Sequence, residues 1–238
     1  MTTPLIRLER VIKNYAGLRP LRVASLALAA ADRVVLSGLD EGAAEMFVHL
    51  VTGAALPDEG QIAIAGRETS AISTDIAWLE SLDRFGLVTH RAVLLDSLPV
   101  RANLALPLTM AIEDPPDEVR ARVGEGADAA GLVAGRLDVP AHALSAEERL
   151  RVHLARAVIT RPQFVLLEHP TAVLADRARA AAFGATLAAA SAQFGFGWLA
   201  ISEDEAFADA TRASRMRLDP ALGRVASPRA GWLGWFRR

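Results

Sequence analysis

Residues 34–47, VVLSGLDEGAAEMF, run from an apolar stretch through a turn bearing Gly38 and Gly42 into the start of a helical pattern. Such a stretch can cradle a phosphate, because the first backbone N–H groups of a helix have no partner inside it and carry the positive end of its dipole. The same chemistry needs a lysine to neutralise the phosphates and a hydroxyl to hold magnesium. Residues 38–45 supply no lysine, serine or threonine. The 26 basic residues include one lysine, Lys13, which lies too early in the chain to stand in. Further on, His169 follows Glu168 at the end of an apolar run, and a histidine can serve as a general base. The stretch SAEE at 145–148 suits a helix start, with Ser145 as its cap and carboxylates in the first turn. His49 stands beside an apolar helical stripe and is expected to be partly exposed. His142 and His153 have no metal-like spacing with each other or with a carboxylate pair, so no metal site is expected. There are no cysteines, which excludes disulfides, thiolate metal sites and thiol nucleophiles.

The elements that must position these residues alternate. Apolar runs at 4–10, 21–27, 33–37, 61–65, 85–89, 163–168, 197–202 and 214–218 read as strands, separated by longer helical patterns. That alternation predicts an α/β fold with a largely parallel sheet. In 43–52, Met46, Phe47, Leu50 and Val51 share one helical face, ended by Gly53. Residues 100–135 hold no strand-like run, and Pro115-Pro116 divides them into two helical pieces, with Asp114 expected to cap the second. An Ala-rich helix is expected around 178–193. A chain of 238 residues can bury a substantial core. Its net charge of −2 argues against a nucleic-acid partner. No run of eighteen apolar residues and no signal-peptide pattern in 1–20 point to a cytoplasmic protein.

Residues 144–175, LSAEERLRVHLARAVITRPQFVLLEHPTAVLA, resemble the signature segment, helix and following strand of an ATP-binding cassette (ABC) transporter's nucleotide-binding domain. Leu144, Ser145, Arg151, Val152, Leu154, Ala155, Arg156, Ala157, Pro170, Thr171 and Leu174 match in register. Tyr15 stands where the family stacks adenine on an aromatic ring, although a simply packed aromatic is an equal alternative. Residues 56–60 and the following QIAIAG match the hairpin after the first helix. Residues 85–108 match the Q-loop strand and the start of the helical subdomain, and 199–204 match the switch strand. The resemblance implies a P-loop-NTPase-like, mainly parallel sheet core with an antiparallel β subdomain and a helical insertion. That core spans 1–224, with the insertion at about 92–160, and a tail follows at 225–238.

Carried over position by position, the resemblance makes residues 38–45 a former phosphate loop. Gly38 is kept, Ala43 replaces the second glycine, Ala44 the lysine and Glu45 the magnesium-binding hydroxyl, while Asp40 and Glu41 add carboxylates. A like-charge pair 4 Å apart costs roughly 4 kcal/mol at an effective dielectric of 20, enough to cancel the attraction of a helix terminus. Alternatively, these carboxylates are solvated turn residues freed from constraint; either way ATP binding is expected to be weak or absent. Glu168 replaces the magnesium-site aspartate, His169 the water-polarising glutamate, His90 the Q-loop glutamine, Glu203 the switch histidine and Ala175 the D-loop aspartate. Gly38, Gly42, Tyr15, His90 and Ser145 are then remnants of a nucleotide site, and no ATP or magnesium cofactor is expected.

The implied function is a pseudo-ATPase subunit that scaffolds or regulates a membrane permease from the cytoplasmic face of the inner membrane. Its partner would be a second, catalytically intact ATPase subunit or another copy of itself. In the family, the region at 91–108 forms the groove that receives the permease, and Leu94, Leu95, Leu98 and Val100 are its apolar candidates. Its ending, NLALPL, resembles the branch handling lipids, lipoproteins and cell-division permeases. Two other readings stand beside it. One is an active ATPase with a rearranged site of Glu168, His169 and Glu203, which would need an arginine in place of the lysine; none lies in the 38–45 loop. The other is a permease-free interaction protein. The tail GWLGWFRR at 231–238 combines aromatic residues with an Arg pair, which suits a membrane interface or a subunit contact.

Overall fold

A computed structural model describes residues 3–227; the tail stretch at 231–238 lies outside them. The strands are β1 (Ile6–Lys13), β2 (Leu21–Leu28), β3 (Arg33–Ser37), β4 (Glu59–Ile64), β5 (Arg67–Glu68), β6 (Phe85–Val88), β7 (Phe164–Glu168), β8 (Gly197–Ile201), β9 (Ser214–Leu218) and β10 (Val225–Ala226). The helices are α1 (Glu41–Thr52), α2 (Asp75–Leu82), α3 (Val100–Ala105), α4 (Asp117–Ala129), α5 (Ala146–Ile159), α6 (Arg177–Phe194) and α7 (Glu205–Thr211). All eight expected strands form, and the helix ended by Gly53 runs to a left-handed cap with φ +72° there.

Two sheets share the core. The larger has strand order β10-β9-β3-β8-β7-β6 and is parallel except for the β10–β9 edge pair. The smaller, β2-β1-β4-β5, is antiparallel throughout. Their burial patterns follow from their sequences. FVLLE and GWLAI are buried at every position, as strands covered on both faces must be. LRVASLAL alternates towards one buried face. Side chains of β3, β7 and β8 point alternately into two apolar clusters. Val35, Val165, Leu167, Trp198 and Ala200 join the cluster built with α3–α7. Val34, Leu36, Phe164, Leu166, Leu199 and Ile201 join the one built with α1 and the antiparallel sheet. The helical insertion, with α3, α4 and α5, leaves after β6 and returns at β7.

Two local expectations need correction, and one helix was not expected. Asp114 does not cap α4: Pro116 holds the cap position without a side-chain hydrogen bond, and Asp114 pairs with Arg120 at 3.1 Å. Proline at that point already fixes φ near the helical value, so no carboxylate is needed to start the helix. Val225–Ala226, the first residues of the expected tail, instead pair antiparallel with Leu218 and Arg217. Helix α2 carried no signal because it buries none of its residues, leaving Ile76 and Leu79 exposed. Among the described residues, no helix is long and apolar enough to cross a membrane.

Candidate functional site

Parallel neighbours bring their carboxyl ends to one edge of the sheet, and ligand clefts of open α/β sheets form there. At that edge lie Gly38–Asp40 after β3, Glu203 after β8, Glu168–His169 at the end of β7 and His90–Arg91 after β6. Most of the residues expected to mark a nucleotide site are therefore brought together.

Residues 38–45 pass from β3 into α1 through a turn that requires glycine. Gly38 has φ +95°, and a Cβ there would sit 2.0 Å from the Leu218 carbonyl oxygen, so only glycine fits. Within residues 38–45, the N–H groups of Gly38, Ala43 and Ala44 have partners in the chain. The Glu203 carboxylate accepts the Gly38 N–H at 2.5 Å, with Arg217 behind it at 3.7 Å. Asp40 caps α1, accepting the Ala43 N–H at 2.8 Å. Ala44, at the lysine position, is fully buried. Tyr15 is half-buried against the loop: a Cβ on Gly42 would come within 3.3 Å of its ring. Burial, then the Asp40 charge, raises its phenol pKa. Lys13 is engaged elsewhere, donating to Asp58 at 2.7 Å, and that contact with two more from Asn14 lowers the Asp58 carboxyl to about 2.

Two of the loop's acidic residues lie near cationic or titratable side chains of the segment after β6. Glu41 faces the His90 ring at 3.3 Å. Glu45 lies 3.3 Å from the Arg91 Nε, and Arg91 donates bidentately to Glu168, whose side chain is 1% exposed. Arg91 is the cation that the sequence did not reveal. It lies outside residues 38–45 and reaches the site because it follows β6, whose parallel neighbour β7 ends in Glu168. At this edge the Gly38 and Ala43 N–H groups and the Arg91 guanidinium are each bonded to carboxylates of the chain.

Behind this layer lies a mainly apolar cavity of about 440 Å³, bordered by Val88, Leu150, Val173, His90, His153 and His169. His169 takes a left-handed turn with φ +39°, and its Nε2 is buried without a hydrogen-bond partner. His153 is buried in α5, and burial, with Arg156, Arg149 and His90 nearby, pushes its pKa down to about 4. It is therefore neutral near pH 7. No group of three or more His, Asp or Glu side chains that could hold a metal occurs among the described residues.

Ser145 caps α5 in a complete capping box with Glu148. The carboxylate of Glu148 also meets Arg136, which with the Ser145 N–H lowers its pKa. Glu147 is held by Arg151 at 3.1 Å and Arg179 at 2.9 Å. Of the four apolar candidates for a permease contact, some of which had to face the protein's own core, Leu94 and Val100 are core residues at 6% and 0% exposure. The chain turns between them, so each packs under the insertion. Leu98 is half-buried, and Leu95 remains exposed beside a more exposed Val93. A groove of about 560 Å³ runs past the same segment, lined by Val48, Trp78, Leu82, Ala92, Leu106 and Pro107 among others.

The sequence profile described as "ABC transporter" matches residues 44–172. Lipoprotein-releasing system ATP-binding protein LolD 2 of Caulobacter vibrioides is 32% identical over 78% of this chain and 82% of its own length. Macrolide export ATP-binding/permease protein MacB 1 of Aeromonas hydrophila is 29% identical over 77% of this chain, which spans 29% of that longer protein. The ATP-binding cassette MJ0796, solved as a dimer bound to ADP and Pi, superposes with a TM-score of 0.75 at 20% identity. That superposition covers 93% of this chain and 98% of MJ0796.

Proposed function

The chain belongs to the ABC transporter family, and from that premise we propose that it is a non-hydrolysing cassette subunit of an ABC transport complex. It holds or regulates a permease from the cytoplasmic face of the inner membrane, opposite an intact ATPase subunit or a second copy of itself. The observation that carries this reading is the state of the phosphate loop. Its lysine position is a buried alanine, and its Gly38 N–H is occupied by the carboxylate of Glu203. A carboxylate held there repels a phosphate instead of contacting it. The rearranged-enzyme alternative loses support from the same contacts, since Glu203 and Glu168 are each committed to other partners. The likeness to LolD 2 supports a permease of the lipoprotein-handling kind as the partner.

Calorimetry with magnesium-ATP is expected to show no binding at micromolar concentrations, and phosphate release no turnover above background. The triple substitution Ala43→Gly, Ala44→Lys and Glu45→Ser is expected to leave binding absent while Glu203 still occupies the loop. Micromolar binding by the wild-type chain, weakened by substitution at Glu45, would end the proposal.

A further inference from the structure

The fold family implies a metal ion between the position of Glu45 and that of Glu168, and the residues present do not fit one. Both carboxylates point at the guanidinium of Arg91, which takes Glu168 bidentately, Nη2 to Oε2 at 2.5 Å, and Glu45 through Nε at 3.3 Å. Nothing in the loop required this: Arg91 arrives from a different strand end, three residues past β6. A carboxylate as buried as Glu168 needs a fixed cation beside it, because an unpaired charge there would be strongly penalised. A guanidinium meets that need permanently. It cannot lose its proton at any physiological pH, and its planar fork matches a carboxylate bidentately.

We propose that Arg91 is the resident cation of this site, standing in place of a divalent metal. The idea rests on the non-hydrolysing reading and adds what replaces the lost ligand. Its consequence is mechanical. Arg91 heads the segment that runs into the helical insertion, so the guanidinium ties the root of that insertion to β7 and α1. A metal would make that connection only while bound. Here the insertion is held to the sheet core whether or not any nucleotide or metal is present, and a subunit built this way transmits force without being switched by a ligand.

The experiment removes the guanidinium and offers a metal instead, using the full-length chain in chelated buffer with Mn²⁺ as the probe. Wild type and Arg91→Lys, which keep a cation, are expected to show no saturable Mn²⁺ binding by electron paramagnetic resonance and no change in melting temperature on adding it. Arg91→Met is expected to melt lower than wild type in chelator. It should bind Mn²⁺ at least about tenfold more tightly than wild type, a difference of about 1.4 kcal/mol, and recover melting temperature with it. Adding Glu168→Gln to Arg91→Met should abolish that gain. Two results overturn the proposal: Mn²⁺ binding by wild type that Glu168→Gln removes, or an Arg91→Met protein that neither loses stability nor gains Mn²⁺. If Arg91→Met does not fold, the wild-type measurement decides alone. Magnesium-ATP binding by wild type is a separate readout. It would sink the non-hydrolysing reading, whereas absent ATP binding with no metal gain in Arg91→Met would sink only the inference about Arg91.

Discussion

At the scale of single residues, the carboxylates at this sheet edge lie against groups of the chain itself. Glu45 and Glu168 share Arg91, Glu203 accepts the Gly38 amide N–H, and the exposed Glu41 stands 3.3 Å from His90. The Arg91 pairing matters most, because the Glu168 carboxylate is buried and its charge needs a partner within the chain. His153 behaves differently, because burial keeps it uncharged. Its folded pKa of about 4 lies below the ordinary 6.5. The unfolded chain therefore takes up a proton first as pH falls. The stability that His153 contributes is complete above pH 6.5 and is lost as pH drops from 6.5 towards 4, by roughly 3 kcal/mol at the limit. Asp58, lowered from 3.8 to about 2, loses its contribution only below that window. Urea unfolding of wild type and His153→Leu at pH 7.0, 6.0 and 5.0, values chosen about the ordinary pKa of 6.5, measures this. The variant's stability should decline less steeply, by close to one proton.

At the scale of elements, the signature segment has become a well-made helix start. Ser145 accepts the Glu148 N–H at 3.2 Å while the Glu148 carboxylate returns to the Ser145 N–H at 2.8 Å. Arg136, Arg151 and Arg179 then hold the two glutamates. A serine kept for capping differs from one kept for a nucleotide in what its loss changes. Ser145→Ala should lower unfolding free energy by about 1 kcal/mol, the ordinary loss for an N-cap. Complex assembly and transport should stay at wild-type levels. Chemical denaturation beside a transport assay separates the two, and lost transport at unchanged stability would restore a contact role for Ser145.

At the scale of the whole molecule, Val93 and Leu95 place two exposed apolar side chains at the root of the insertion, at 75% and 46% exposure. Trp78, Leu82, Leu106 and Pro107 line the adjoining groove. If the permease seats there, Val93→Asp and Leu95→Asp should each release it in a pull-down, since a carboxylate in an apolar contact loses its hydration without gaining a partner. His169→Ala should leave the complex intact, because His169 faces the inner cavity and not this groove. Release by His169→Ala with retention by the Val93 and Leu95 variants would move the docking surface to the cavity bordered by His169.

Strand positions were legible in the sequence because the runs VVL, FVLLE and GWLAI declare strands buried on both faces, whatever surrounds them. The cap at Ser145, the end of α1 at Gly53 and the missing lysine were equally local, since each depends on residues within one turn or one loop. Helix α2 was hidden because it buries no stripe, and Leu94 could not be told from Leu95 because only packing decides which side of an irregular segment faces the core. Arg91 was beyond reach for a stronger reason. It meets Glu168 across 77 residues and Glu45 from another strand end. Spacing in a sequence describes neighbours along the chain, whereas parallel strand order decides whose loops share an edge. The carboxylates of this edge were written in the sequence; the arginine between two of them was placed there by the fold.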